Sequence, residues 1–181
     1  MSFLPSLGRD ATLPELFKAY PATARKRLPF EEEVMRGPSP LSVARRELIA
    51  AYVSGLNSCG HCYGVHAATA EAFGVADGVL ESLIGDVDSA PVEERMKPIL
   101  RFARKLTRTP DRMVAGDVEE ILAAGWDEKA VHDAALVCAL FNCMNRIVSG
   151  AGIVGTEPYY KAGGAALAKD GYAAIADKLG L

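Results

Sequence analysis

Cys59, His61, Cys62 and His66 fall within the ten residues NSCGHCYGVH, positions 57–66. A Cys-x-x-Cys pair can cycle between dithiol and disulfide, and a second thiol within reach can condense with a sulfenic acid formed on the first. With Ser58 as an N-cap, Cys59 takes the first helical position and Cys62 stands three later. At about 100° per residue, Cys59, Cys62 and His66 then share one helix face. A thiol in the first turn feels the helix dipole and free backbone N–H groups, so this argument alone makes Cys59 the more acidic of the two. A histidine four residues after Cys62 can take its proton or stabilise the resulting charge. His61 projects from a different face and is a candidate through its position inside the pair. Glu47 sits on the preceding helix, before the apolar run LIAAYV, where a carboxylate needs a partner. If the two helices lie side by side, Glu47 can orient His66 or relay its proton, directly or through one water.

Other chemistries fit parts of this pattern. A thioredoxin-type exchanger carries its Cys-x-x-Cys after a strand in an α/β fold, whereas a helix and an Asn-Ser turn precede these cysteines. Cys59, Cys62 and His66 could supply three zinc ligands, with Glu47 or His61 as a fourth. The remaining cysteines form no second ligand cluster. Cys138 and Cys143, five apart in AALVCALFNCMN, stand about 140° apart on a helix and read as core packing. A G-x-G-x-x-G match at Gly150–Gly155, with Asp170 beyond it, has a helix before it and Thr156-Glu157-Pro158 after it. A dinucleotide site needs a strand before and a helix opening at the glycines, so this is a helix-ending turn.

The elements that must position these side chains are helical almost throughout, which predicts an all-α fold. Thr12-Leu13-Pro14-Glu15 is a capped helix start, and a helical arm over 21–36 ends at Gly37-Pro38. Ser39-Pro40 is expected to open a helix over about 40–55, with Leu41, Ala44, Leu48, Ala51 and Tyr52 on its apolar face. Gly55 and Asn57 break it, and the cysteine helix runs to Phe73 with Gly74 at C′. A short helix follows over 77–84. Another starts at Ser89 and Pro91 and reaches Leu106, with Pro98 expected to kink or split it. Asp117-Val118-Glu119-Glu120 reads as a capping box for a helix ending at Gly125. Asp127 caps the longest apolar helix, 128–149, and the tail after Pro158 holds a short amphipathic segment.

The chain has 181 residues, half of them apolar, which fits one domain. It divides into an arm (1–37), a core carrying the Cys-x-x-Cys motif (38–156) and a tail (157–181). The net charge of −3 gives no general reason to seek nucleic acid or anionic membranes. Arg25-Lys26-Arg27 and Arg45-Arg46, lying beside Glu31, Glu32, Glu33 and Glu47, read as solvated helix faces. No basic segment followed by an apolar one marks a secretory signal, and no uninterrupted apolar run approaches a bilayer's thickness. The expectation is a soluble cytoplasmic protein with reduced thiols.

With these residues assembled, RELIAAYVSGLNSCGHCYGVHAATAEAFG (46–74) resembles the core motif of the AhpD-like alkylhydroperoxidase family, part of the carboxymuconolactone decarboxylase superfamily. Glu47, Cys59, Cys62 and His66 match Glu-x11-Cys-x2-Cys-x3-His, with His61 giving the Cys-x-His-Cys form. MRGPSPLSVARRELI before it and LFNCMNRIVSGAGIV after it are similar to the peroxidase-related branch, so the likeness spans about 30–160. The resemblance implies an all-helical, homo-oligomeric bundle (dimer, trimer or hexamer) that reduces organic or hydrogen peroxide without haem, flavin or metal. It implies that Cys62 attacks the peroxide, that Cys59 resolves the sulfenic acid, and that a dithiol protein or small thiol reduces the disulfide. His66 would be the base on Cys62, with Glu47 behind it and His61 nearby. Asn142 and Arg146 are candidates to line the pocket. Two alternatives stay within the same fold: a general disulfide reductase or electron carrier, and a lactone decarboxylase, for which a cysteine pair is not needed.

Overall fold

Ten α-helices and one 3-10 turn make up the computed structural model, which describes residues 2–181 and has no strand among them. In α1 (Leu13–Ala19) Glu15 reaches back to the Thr12 amide at 2.5 Å, closing the expected capping box. Helix α2 (Pro21–Arg36) ends at Gly37 as the spacing predicts. Helix α3 (Val43–Leu56) starts later than Ser39-Pro40 suggested. The Ser42 hydroxyl accepts from the Arg45 amide, while Ser39 donates to Asp133 at 2.5 Å and accepts from the Leu41 amide. Ser39 therefore pins the entry loop to a distant helix and caps nothing.

Helix α4 (Gly60–Ala72) carries the cysteines and ends in Phe73 and left-handed Gly74 (φ +93°). Its N-cap is Cys59, not Ser58; Ser58 itself takes a left-handed turn (φ +56°) that costs a non-glycine residue about 1–2 kcal/mol. This turn swings the chain from α3 into α4 within three residues and sets Cys59 at the helix mouth. After the short α5 (Val79–Gly85), α6 (Met96–Arg108) begins seven residues beyond Ser89. Pro98 thus lies in the first turn, where its missing N–H has no partner to lose, and the helix is neither split nor interrupted there. In α7 (Ala115–Ala123) Asp117 is the third helical residue and accepts from the Val114 amide at 2.8 Å, so it is the far member of the cap and not the N-cap. Asp127 does cap α8 (Glu128–Gly150), accepting from the Ala130 amide at 2.8 Å. Gly150 is the last residue of α8 and Gly152 turns left-handed (φ +68°), which confirms the glycine-rich match as a helix end. The tail forms two helices, α9 (Glu157–Asp170) and α10 (Ala173–Leu179), and not one short segment.

The core surrounds α3, whose residues from Arg46 to Ser54 are all buried. Helix α4 lies on one side of it, with α8 and α6 on others, and α9 runs along the outside of α4. Helix α8, with mean hydropathy 1.2 over a bilayer-length window, is long and apolar enough to cross a membrane by composition. Half of that window is instead buried within the protein, Val137, Cys138, Phe141 and Val148 being among the buried residues of the helix.

Two readings of the charged and sulfur-bearing residues are overturned. Arg46 is buried, as is Glu31, and is not part of a solvated face; it donates to the carbonyls of Val34 and Gly37 at 2.9 Å each, tying α3 to the end of α2. Cys138 is a core residue beside Thr107, but Cys143 is exposed, as the angle between them on α8 requires.

Helix α9 approaches α4 at Gly164, where an added Cβ would stand 2.6 Å from the Ala68 Cβ and 2.9 Å from the Thr69 nitrogen. Next to it, a Cβ on Gly163 would meet Val65 at an ordinary 3.6 Å. Gly164→Ala is expected to lower unfolding free energy in urea by about 1–3 kcal/mol. Gly163→Ala should raise it by about 0.5–1 kcal/mol through the chain entropy of glycine.

Candidate functional site

Glu47 is the most deeply placed charge of the site, with no solvent exposure. One carboxylate oxygen lies 2.7 Å from His66 Nδ1, and the other accepts from Arg36 Nη1 at 2.7 Å and from the Tyr172 hydroxyl at 3.3 Å. Burial on its own would raise the carboxyl, but His66 and Arg36 together hold it below the ordinary value. An ionised Glu47 accepts from His66, so in the neutral imidazole Nδ1 carries the proton and Nε2 the lone pair. The imidazole is clamped on both flanks, by the Phe141 ring edge-on at 4.4 Å and by the near-parallel Tyr172 ring at 6.3 Å. The side-by-side packing of α3 and α4 thus joins Glu47 to His66 directly, with no water between them.

A cavity of about 260 Å³ opens onto this array. Cys62, His61 and His66 line it from α4, and its remaining wall is mostly apolar: Phe17 of α1, Phe141 and Met144 of α8, and Leu167, Ile175 and Leu179 of the tail. Cys59 is not among its lining residues, although both sulfur-bearing residues are only 3% exposed. The pair stands reduced, each cysteine a free thiol.

The two thiols are driven in opposite directions. Cys59 is held down to about 6, first by the Cys62 thiol donating to it, then by the Cys62 amide and the Ser149 hydroxyl, against the cost of burial. The Cys62 amide, third in the helix, faces the Cys59 sulfur without closing a full cap hydrogen bond. Cys62 is pushed well up, by giving its proton to Cys59 and by burial, and only the Asn145 amide opposes this. The first proton to leave the pair therefore comes from Cys59, as the helix-dipole argument expects.

His61 reaches the same cavity, contrary to the different face that its position suggested. It is buried against Tyr159 at 5.7 Å and edge-on to Tyr160 at 5.8 Å, both from α9. Burial and the neighbouring His66 depress it to about 4, so it is neutral near pH 7, and its Nδ1 has no hydrogen-bond partner. Asn142 and Arg146 do not line the cavity: Asn142 bonds to Thr107 and Asn57, and Arg146 bonds back to Asn142. Helix α8 serves the cysteines through Asn145 and Ser149 instead, one turn along. Asn145 is fixed by donating to Ser54 at 3.0 Å and accepting from Asn57 at 2.9 Å. Among the described residues, no three His, Cys, Asp or Glu side chains converge to hold a metal ion.

Five participants escaped sequence reasoning: Arg36, Tyr172, Asn145, Ser149 and Glu31. Each lies on a helix, or in a turn, remote from the motif. Only Asn145, a polar residue four after Phe141 in an apolar string, offered a signal of its own.

Residues 21–105 match the model of the carboxymuconolactone decarboxylase family, a span that includes Glu47, both cysteines of the pair, His61 and His66. A search of curated proteins finds no match. Among solved structures, a peroxidase-related protein from Silicibacter sp. TM1040 is 25% identical, with 87% of this chain and 92% of that one covered at a TM-score of 0.67. The AhpD core of a peroxidase-related protein from Ralstonia eutropha JMP134 superposes with a TM-score of 0.75 at 21% identity, over 82% of this chain and 78% of its own. A protein of unknown function from Agrobacterium tumefaciens, named for antioxidant defence of the AhpD kind, shares 18% identity over 78% of this chain and 95% of its own, at a TM-score of 0.69. The fold, the family-model match over residues 21–105 and the Glu-Cys-Cys-His pattern agree: that stretch of the chain is similar to the carboxymuconolactone decarboxylase family, and the fold is AhpD-like.

Proposed function

We propose that the protein is a thiol-dependent peroxidase in which Cys62 attacks the peroxide and Cys59 closes the disulfide. The observation that carries this reading is the shared cavity: Cys62 and His66 line it, and Cys59 does not. A peroxide entering the cavity meets Cys62 first. His66 Nε2, left with its lone pair by the Glu47 contact at Nδ1, accepts the Cys62 proton. The sulfur attacks the terminal peroxide oxygen, the O–O bond breaks, the remaining oxygen leaves as alkoxide or hydroxide, and Cys62 becomes the sulfenic acid. Cys59, held as thiolate at neutral pH, then attacks the Cys62 sulfur. The hydroxyl leaves as water with one proton, and the disulfide forms. Two electrons from a dithiol protein or from small thiols restore the pair. Glu47 acts as a positioning residue for the imidazole, and neutral His61 forms part of the cavity wall over Cys62. The protein would work as a homo-oligomer in a compartment that keeps thiols reduced.

The depressed Cys59 thiol supports a second reading, a disulfide reductase or electron carrier that exchanges with a protein partner. The small exposure of both cysteines, 3% each, favours a reactant that fits the cavity.

The order of events is read by trapping sulfenic acid with a dimedone-type reagent after one peroxide pulse, followed by intact mass. Cys59→Ser should accumulate the trapped adduct, and Cys62→Ser should give none. Full labelling of Cys62→Ser at the motif would reverse the two roles. His66→Gln is expected to slow disulfide formation by about 100-fold or more with the same end product. An unchanged rate would remove the histidine from the mechanism.

The ionisation of the pair is read by ultraviolet thiolate absorbance. It should rise as the pH climbs through about 6, one thiolate per chain, because a lowered pKa means charge at lower pH. Cys62→Ala removes the donor to Cys59 and should move that midpoint up toward the ordinary thiol range.

A further inference from the structure

Glu31 is a second carboxyl in the cavity, and the steps above do not use it. It sits on α2, is 4% exposed, and lines the same cavity as Cys62 and His66. Its Oε1 lies 2.8 Å from Arg27 Nε, one turn back, but off the line of a hydrogen bond, and this buried oxygen has no hydrogen-bond partner. The Arg27 guanidinium is shared: besides its ion pair with Glu31, Nη1 contacts Met144 Sδ at 2.6 Å, and Cζ lies 4.7 Å from the centre of the Phe17 ring. A carboxyl oxygen left unsatisfied in a buried, mostly apolar wall is costly unless it is neutral or meets a ligand.

We infer that Glu31 is the proton donor to the oxygen that leaves when Cys62 attacks the peroxide. This rests on the peroxidase reading above and adds the acid that reading lacks. Thiolate attack on the terminal oxygen puts negative charge on the other oxygen, and an alkoxide is a poor leaving group unless it is protonated as it departs. His66 accepts the Cys62 proton in the same step and has none to spare for the far oxygen. The carboxyl of Glu31, across the cavity, supplies one. The Cys62 S–H bond and the peroxide O–O bond break, S–O and O–H bonds form, and the products are sulfenic acid and alcohol. Glu31 is then a carboxylate and His66 an imidazolium; a proton passing from one to the other, directly or through water, resets both.

Burial, and not the surrounding charges, favours the protonated form of Glu31. Burial pushes Glu31 up, and Arg27 and His66 oppose this without cancelling it. The other ionisable groups on the cavity wall are His61 and Cys62 of α4, Tyr159 of α9, Tyr172 of the turn before α10, and Lys178 of α10. Lys178 is paired with Asp170 at 2.5 Å, and α1 and α8 present no charged side chain to the cavity.

Two oxidants with different leaving groups test the assignment: cumene hydroperoxide, which must release an alkoxide, and peracetic acid, which releases a carboxylate and needs no acid. Cys62 oxidation is followed by quenched-flow intact mass in wild type, Glu31→Gln and Glu31→Asp, with thermal unfolding recorded for each. Glu31→Gln should react about 100-fold more slowly with cumene hydroperoxide and at the wild-type rate with peracetic acid. Glu31→Asp, which keeps the acid but withdraws it by one methylene, should show the same selective loss at smaller size. It carries the comparison if the glutamine variant does not fold. Equal losses with both oxidants, or no loss with either, would make Glu31 a structural residue and overturn the assignment. A wild-type protein oxidised by neither compound would overturn the peroxidase reading and this inference with it.

Discussion

The buried charge of Glu47 is the constraint around which the site is organised. A carboxylate with no exposure loses its hydration, a penalty of several kcal/mol that must be recovered from groups already in place. Those groups come from three separate parts of the chain: Arg36 from the end of α2, His66 from α4, and Tyr172 from the turn before α10. Arg36 is itself held over the rings of Phe73 and Tyr172, at 5.4 and 5.1 Å. The Tyr172 backbone is pinned by Glu32, whose carboxylate accepts from the Tyr172 and Ala173 amides. The arm, the cysteine helix and the tail are thereby fixed about one carboxylate, and the imidazole inherits its tautomer and orientation from the same contact.

The cysteine pair shows how position divides two identical side chains. Cys59, at the helix mouth, collects an S–H, an amide and a hydroxyl, all of which favour its charged form. Cys62, one turn inside and closed off by α8 and the cavity wall, donates to its neighbour and is disfavoured as an anion by burial. The more acidic sulfur is thus not the one that faces the cavity. In peroxide chemistry this division suits a resolving thiolate held ready behind a nucleophile whose proton is removed only at the moment of attack. The mostly apolar wall strengthens each of these interactions by keeping water away.

Much of the fold was legible in the chain. The caps at Thr12 and Asp127, the breaks at Gly37 and Gly74, and the glycine turn after α8 stand where local chemistry puts them. The misplacements have one cause, a residue recruited by a distant partner or shifted by a helix's length. Ser39 resembles a cap but bonds to Asp133 across the protein. Pro98 resembles a breaker but lies in a first turn, because α6 starts later than its polar prelude suggests. Glu31 and Arg46 resemble surface charges by composition, yet they face inward, since no local pattern reports which side of a helix its neighbours will cover.

The sequence by itself determined the helical class, the motif from Glu47 through Cys59 and Cys62 to His66, and the lower pKa expected of the thiol nearest the helix end. These depend on spacing along one or two helices and on the helix dipole, which are local properties. Tertiary structure alone decided which sulfur faces the cavity, which groups neutralise Glu47, and that His61 and Glu31 share the cavity wall with Cys62. Those outcomes depend on how α2, α8, α9 and the tail dock against α4. Docking is settled by complementary shape and by the need to satisfy buried polar groups across dozens to more than a hundred residues of chain, and no short-range pattern carries that information.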